Sequence, residues 1–344
     1  MKKAIKFIIA LFLGGAIFVL VLQKAGLDTL SRAFYLFFSL EGLLIVFLTL
    51  FIILVGVWRW KMILSCQGVD KKVSELVGIW TIGGSIDYLT PVSLFGGEAI
   101  RVYLTGRTLD IEWEKSFSSV IIDKILDGTF HILFIILGLA VFLNFGDFPY
   151  VWLFWLVVIS IGALSLVLIF FYSRAIGKKS IILFILKFFG LEKTQVKSTK
   201  NGEFIFNTEG NVLRFFSPKK LFFWKGIFFS FFRHSLIYLR AFVIIYFLVE
   251  VIEPVRVLAG QGLAYLSLLL PLPAGLGGLE AISAYGFDIL GFGFETGTVF
   301  GMTWRAADLL MVLLALVFGV KIGLTLFKLQ IFDFIDRVKS GLIK

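Results

Sequence analysis

The chain contains the stretch PVSLFGGEAIRVY at residues 91–103 and a related stretch, PAGLGGLEAISAY, at residues 273–285. Both follow the pattern P-x4-G-x-E-A-I-x2-Y, and the second copy begins about half a chain length after the first. Proline removes a backbone donor and glycine frees the local dihedral angles, so a straight helix cannot run through either stretch. Each stretch interrupts a longer apolar segment, 80–104 and 258–290. The repeat therefore predicts two pairs of short helices, each folded around a turn.

A long apolar segment follows each copy of the pattern and carries a basic residue with an acidic residue three positions later. The pairs are Lys124 with Asp127 and Arg305 with Asp308, so they recur at nearly the same spacing as the pattern itself. These matches indicate an internal duplication, with repeat 1 at about 74–143 and repeat 2 at about 256–326. Three predicted membrane spans separate the copies, so we expect them to lie in opposite orientations. Many secondary transporters are built from such an inverted repeat.

The composition indicates that lipid surrounds most of the chain. Hydrophobic residues make up 59%, the mean hydropathy is +0.98, and 16% of residues are charged, against about 25% in soluble domains. A membrane-spanning helix needs about 20 apolar residues. Six stretches meet this requirement: 4–22, 42–58, 117–143, 151–172, 224–249 and 299–326.

The two interrupted segments are expected to be re-entrant helical hairpins, because irregular backbone cannot face lipid and must be buried in protein. The predicted fold is an all-α polytopic membrane protein with about six full transmembrane helices and two re-entrant hairpins in an inverted repeat. Residues 1–344 are expected to form a single membrane domain.

Basic residues predict the orientation of this domain through the positive-inside rule. Between Arg174 and Lys225 there are eleven basic and three acidic residues, so the connection at about 174–220 is assigned to the cytoplasm. The basic segments around Arg59 and Arg101 and both termini are also assigned there. The first hairpin then enters from the cytoplasmic side and the second from outside. The polar segment 194–211 is expected to be a loop.

Several classes of function are disfavoured by what the sequence contains. With one cysteine and two histidines, neither a disulfide nor a metal-ligand cluster is expected. The chain has no GxxxxGK[ST] phosphate-binding loop, so we expect no cofactor, and any transport should be passive or ion-coupled. The basic connection is explained by topology, so no nucleic-acid partner is expected.

Lys124 and Arg305 lie well inside apolar helices, where an isolated cation costs about 2.5–3.5 kcal/mol. One explanation is an ion pair with the aspartate one turn later. The other is a polar cavity between the repeats that binds an anionic headgroup with help from the helix N-termini. Those N-termini contain Gly96, Gly97, Gly277 and Gly278. Glu98 and Glu280 would either cap free amide groups or hold a cationic headgroup or a proton.

The residues quoted so far resemble a known family. The stretch at 91–101, which ends in Arg101, the residues Asp123, Lys124 and Asp127, and the stretch LPLPAGLGGLEA at 270–281 are similar to the flippase-like transmembrane domain of lysylphosphatidylglycerol synthases. Members with an additional cytosolic aminoacyl-transferase domain make and flip aminoacylated phosphatidylglycerol. We do not expect that synthase activity here. Free-standing relatives occur in bacteria and archaea, which implies a prokaryotic cell membrane.

The sequence therefore predicts a protein that binds and flips a phospholipid or lipid-linked headgroup. Expected partners are that lipid and, as further candidates, a second copy of the chain or a lipid-synthesis enzyme. The alternatives are a membrane-embedded transferase that acts on a lipid-linked substrate and an accessory subunit of such a system. A transferase would need a free acid or base, for which only Asp87, Glu98, Asp123 and Glu280 qualify. No catalytic residue is assigned.

Overall fold

The computed structural model describes residues 2–90, 96–146, 150–188, 199–250 and 253–339. Within these residues the chain is almost entirely α-helical and contains no strand. The helices are α1 (Lys2–Ala25), α2 (Asp28–Phe38), α3 (Leu40–Cys66), α4 (Val73–Leu89), α5 (Glu98–Leu109), α6 (Trp113–Phe145), α7 (Val151–Ile176), α8 (Ile181–Phe188), α9 (Lys200–Phe215), α10 (Leu221–Val249), α11 (Pro254–Ser267), α12 (Gly278–Ile289) and α13 (Phe294–Lys339). A short 3-10 turn, Pro273–Gly275, lies between α11 and α12.

Six of these helices are long and apolar enough to cross a membrane. They are α1, α3, α6, α7, α10 and α13, the same six segments that the sequence predicts. Many of their outward side chains are large and apolar; Phe12, Leu166 and Val317, for example, are exposed. Such apolar faces are stable when lipid hydrocarbon surrounds them. The structure therefore confirms the all-α polytopic membrane fold.

Four consecutive helices recur in the same order in the two halves of the chain. Helices α3, α4 and α6 begin at Leu40, Val73 and Trp113, and their counterparts α10, α11 and α13 begin at Leu221, Pro254 and Phe294, the same distance along the chain in each case. The short helices α5 and α12 match at nearly the same spacing. The repeating unit is therefore larger than the sequence pattern indicates, because it includes the spanning helix before each hairpin.

The first pair of short helices folds back at its interruption. Helix α4 ends at Leu89 and α5 begins at Glu98, while Pro91 of the sequence pattern lies outside the described residues. Gly97 lies directly against the backbone of Gly83, so closely that a Cβ atom on Gly97 would overlap the Gly83 carbonyl oxygen. The start of α5 is thus level with the middle of α4.

The second pair of short helices shows the same hairpin more completely. Gly278, at the start of α12, lies against Leu270, and Gly286, further along α12, lies against Leu263. Positions that advance along α12 therefore meet first the turn after α11 and then α11 itself, as in an antiparallel pair. Gly277 at the turn has φ +74°, a conformation that glycine adopts without steric cost.

Each hairpin packs on the long helix of the other repeat. Helix α4 contacts α13, α11 contacts α6, and the two preceding spans α3 and α10 contact each other. Residues from both repeats, such as Val55, Phe134, Ile244 and Phe300, form one buried apolar cluster. The two repeats therefore share a core.

The basic connection contains more helix than the sequence predicts. The expectation of a loop at 194–211 is wrong over its second part, because α9 begins at Lys200. Thr199 caps this helix by accepting a hydrogen bond from the Gly202 amide at 3.0 Å, and Val212 and Phe215 are buried against α6 and α10. Packing outweighs the low helix propensity of the glycines in this segment.

Candidate functional site

In the first hairpin an acidic side chain accepts hydrogen bonds from the free amide groups just before α5. Oδ1 of Asp87, near the end of α4, accepts hydrogen bonds from the amides of Gly96 at 2.9 Å and Gly97 at 2.6 Å. Helix N-termini carry unpaired amides that favour a negative charge. A carboxylate of the chain thus occupies the position where a headgroup phosphate was expected to bind.

Lys124, from α6, reaches this same hairpin. Its Nζ lies 3.2 Å from Oδ2 of Asp87 and 2.6 Å from Oε1 of Glu98. The Lys124 side chain remains 28% exposed, so the group is accessible from the surface of the protein. The predicted residues Lys124, Glu98, Gly96 and Gly97 therefore lie together at one end of the first hairpin.

The second hairpin carries a matching group built on Arg305 of α13. Its Nε and Nη2 atoms donate to the two carboxylate oxygens of Glu280 at 2.6 and 2.5 Å, and Nη2 also donates to the Gly275 carbonyl at 2.9 Å. Glu280 in turn accepts from the Gly277 amide at 3.1 Å. This glutamate both caps the half-helix and neutralises the arginine, and it is fully buried.

A third group of charges lies in the core beside the first hairpin. Arg59 of α3 donates to Asp123 at 2.7 Å and to Asp127 at 3.0 Å. Arg101 donates to the second oxygen of Asp123 at 2.9 Å, and Arg233 of α10 also bonds to Asp127. Each aspartate is thus shared between two guanidinium groups, and the Arg59 side chain is only 1% exposed.

The second repeat contains a simpler version of this pairing. Arg240 of α10, the counterpart of Arg59 in the duplication, bonds to Asp308 at 2.9 Å. Asp308 follows Asp127 at the same spacing along the chain, so both members of the pair are related by the duplication. The guanidinium of Arg240 also lies 4.5 Å from the ring centroid of Trp304, an arrangement that stabilises a buried cation.

The sequence leaves two explanations open for Lys124 and Arg305. Among the described residues each of these cations bonds to the glutamate of the hairpin in its own repeat, and not to the aspartate one turn later. On α6, Asp123 and Asp127 lie one turn apart and are bonded by arginines of α3, α5 and α10 instead. Arg59 and Arg101, whose segments the positive-inside rule assigns to the cytoplasmic side, are both buried in ion pairs. That orientation stays a prediction.

The charges around the first hairpin balance. The first cluster, as we call it, consists of two neighbouring groups of bonded side chains that together hold four basic and four acidic residues: Lys124 with Asp87 and Glu98, and Arg59, Arg101 and Arg233 with Asp123 and Asp127. The second cluster consists of Arg240, Arg305, Glu280 and Asp308. Both are neutral overall, as low-dielectric surroundings require.

Sequence reasoning missed Arg59, Arg240 and Arg233 as members of these clusters. A signal for the first two is present, because Arg59 and Arg240 are separated by the same distance along the chain as Lys124 and Arg305. Arg233 has no counterpart at that spacing, where Ile52 stands. Only the packing of α10 against α3 and α6 brings it to Asp127.

The two histidines meet beside Asp127. The ring centroids of His131 on α6 and His234 on α10 are 4.9 Å apart and perpendicular. One potential ligand atom from each of Asp127, His131 and His234 lies within 4.8 Å of the other two. No spacing or motif in the sequence predicts that these side chains lie together.

The described residues form six apolar helices that are long enough to span a membrane, and the helix order is duplicated in the two halves of the chain. Basic side chains of α6 and α13 neutralise glutamates of the two hairpins. These features define a polytopic α-helical membrane protein. The profile of the lysylphosphatidylglycerol synthase TM region matches residues 5–315, and the chain belongs to this family.

Two archaeal proteins are similar to the chain. A UPF0104 membrane protein of Methanocaldococcus jannaschii is 25% identical over 237 residues, covering 67% of this chain and 69% of the relative. A UPF0104 membrane protein of Methanothermobacter thermautotrophicus is 29% identical over 125 residues, covering 35% of this chain and 37% of the relative. No solved structure gives a significant match.

Proposed function

We propose that this protein binds a phospholipid or lipid-linked headgroup and moves it across a prokaryotic cell membrane. The observation that carries the proposal is the pair of hairpins in which a basic side chain meets a glutamate and the N-terminus of a half-helix. Discontinuous helices of this kind form the substrate sites of many transporters. The headgroup of an anionic or zwitterionic lipid offers a phosphate that can replace the glutamate on Lys124 or Arg305.

The charged side chains at the two hairpins differ in their exposed fraction, and this difference supports a transport cycle. The Lys124 side chain is 28% exposed and Glu98 is 19% exposed, whereas Arg305 is 12% exposed and Glu280 is fully buried. In a protein made of two related halves, alternation between one open and one closed site exposes the substrate to each side in turn. In this proposal the first hairpin is the open site of the present conformation.

A membrane-embedded transferase is less well supported. Such an enzyme needs a carboxylate or other base that is free to accept a proton from its substrate. The four candidate acids Asp87, Glu98, Asp123 and Glu280 are each held by a basic side chain.

Reconstitution tests the proposal directly. The purified protein in liposomes is expected to bring fluorescent phosphatidylglycerol from the inner to the outer leaflet, where dithionite quenches it, faster than protein-free liposomes do. Mass spectrometry of copurified lipid should identify an unmodified headgroup. A rate equal to that of protein-free liposomes, or a modified lipid product made by the purified protein, would contradict transport.

The inverted orientation of the repeats gives a second prediction. Arg107 and Asp288 are exposed and lie in the last turns of α5 and α12. In a chain with Cys66 replaced by serine, a cysteine at Arg107 is expected to react with an impermeant maleimide only from the cytoplasmic side. A cysteine at Asp288 should react only from the outside. Reaction of both from the same side would show parallel repeats and exclude oppositely entering hairpins.

A further inference from the structure

The hydrogen bonds of the two histidines fix where each imidazole can accept a proton. Nδ1 of His131 lies 2.9 Å from the Asp127 carbonyl oxygen, and Nδ1 of His234 lies 2.9 Å from the Ser230 carbonyl oxygen. A carbonyl only accepts, so each Nδ1 carries the hydrogen and each neutral ring keeps its lone pair on Nε2. Nε2 of His234 is buried and has no hydrogen-bond partner among the described residues.

The surroundings of this histidine pair favour a proton over a metal ion. Oδ1 of Asp127 already accepts from the guanidinium groups of Arg59 and Arg233. A divalent ion would add two positive charges next to these two cations, whereas a proton adds one. Lys124 stands two helical turns before His131 on α6, and Tyr265 of α11 lies 4.4 Å from the His131 ring centroid. Phe130 and Phe134 flank the His234 ring.

Charge balance links this pair to the substrate. The first cluster is neutral when both imidazoles are neutral, so an anionic headgroup that enters it brings an uncompensated negative charge. Uncompensated charge in a low-dielectric interior is costly. Histidine is the side chain whose ordinary titration lies between about pH 5 and 8, and the unpartnered Nε2 can take up the proton that restores neutrality.

We propose that His131 and His234 form a proton-binding site that takes up one proton when an anionic lipid headgroup enters the first cluster. The inference rests on the proposed lipid binding and adds the coupling ion. A proton taken up from water forms a new N–H bond at Nε2 of His234 and gives an imidazolium. Its charge is offset by the headgroup phosphate. Release of the lipid on the other side returns the proton to water.

Calorimetry in two buffers of different ionisation enthalpy counts the protons. The wild-type protein at about pH 7 is titrated with dihexanoyl phosphatidylglycerol and, in a parallel experiment, with zwitterionic dihexanoyl phosphatidylcholine. We expect uptake of about one proton per phosphatidylglycerol and none with phosphatidylcholine. Affinity for phosphatidylglycerol should then rise by up to about tenfold per unit fall in pH in this range.

Two variants assign the proton to the histidines. His234→Gln and the double variant His131→Gln, His234→Gln should bind phosphatidylglycerol with little proton uptake and a flatter pH dependence, because both remove the unpartnered Nε2 of His234. If neither variant folds, the proton count of the wild type still decides the matter.

The possible results separate this inference from the transport proposal. Phosphatidylglycerol binding without proton uptake by the wild type, unchanged uptake in folded variants, or binding that is abolished by EDTA and restored by Zn²⁺ would overturn the proton site while lipid binding stands. If neither phosphatidylglycerol nor phosphatidylcholine binds, the proton site and the proposed lipid binding are both overturned.

Discussion

Replacement of Arg59 by glutamine is expected to cost a large share of the stability of the fold. The guanidinium bonds to Asp123 and Asp127 at once and is 1% exposed. Its loss leaves Asp123 and Asp127 with one guanidinium partner each, Arg101 and Arg233. A hydrogen bond to a buried charged group is worth about 1.5–3 kcal/mol, so the loss of two such bonds removes a large share of a typical total stability of about 5–15 kcal/mol. Thermal denaturation in detergent and the yield of monodisperse protein measure the effect.

Arg32→Gln is the matched control for this prediction. Arg32 also pairs with an acid on another helix, Glu295, but both side chains are largely exposed at 3.6 Å. Exposed pairs contribute about 0–1 kcal/mol, so the melting temperature of this variant should stay close to that of the wild type. Equal losses in the two variants would show that Arg59 does not hold the core together.

Removal of both charges of the second hairpin is expected to abolish lipid translocation while the protein still folds. The double variant Arg305→Gln, Glu280→Gln strands no buried charge, and glutamine at position 280 retains an oxygen that can accept from the Gly277 amide. Transport should fall by at least about tenfold, because a hydrogen bond to a charged headgroup is worth about 1.5–3 kcal/mol. The single variant Arg305→Gln should be less stable than the double, since it leaves Glu280 buried and unneutralised.

The exposed pair of Lys115 and Glu112 supplies the control for transport. These side chains are 2.9 Å apart near the start of α6, and the variant Lys115→Gln, Glu112→Gln removes the same number of charges. It should transport lipid at the wild-type rate. Wild-type transport by the folded Arg305→Gln, Glu280→Gln variant would exclude Arg305 from the translocation path.

The sequence predicts the helical architecture well because the membrane imposes simple physical requirements. Length and hydropathy identify the six spans, and proline with glycine marks the interruptions at Gly96 and Gly277. The ion-pair partners of the buried charges cannot be predicted in this way. Whether Lys124 bonds to Asp127 or to Glu98 depends on how α6 packs against α5, which no spacing along one helix encodes. The positive-inside rule places Arg59 outside the core, because positive charge near the end of an apolar stretch usually marks a cytoplasmic segment.

The duplication is visible in the sequence at the hairpins, but its full extent is not. Six identities mark the interrupted segments, whereas α3 and α10 share only general hydrophobicity and an arginine at equivalent positions. A spanning helix tolerates exchange among apolar residues, so its sequence loses similarity faster than a turn that requires glycine. The buried arginine is present in both halves because each faces the equivalent aspartate.

The packing of α4 on α13 sets an order for assembly during synthesis. Helix α4 ends at Leu89 and its partner begins at Phe294. At about 5–20 residues per second, the ribosome needs roughly 10–40 seconds to make the intervening chain. During that interval the new first repeat holds three of the four basic side chains of the first cluster and all four acidic ones. The arrival of Arg233 in the membrane then brings the total charge of the first cluster to zero, before α13 covers the first hairpin.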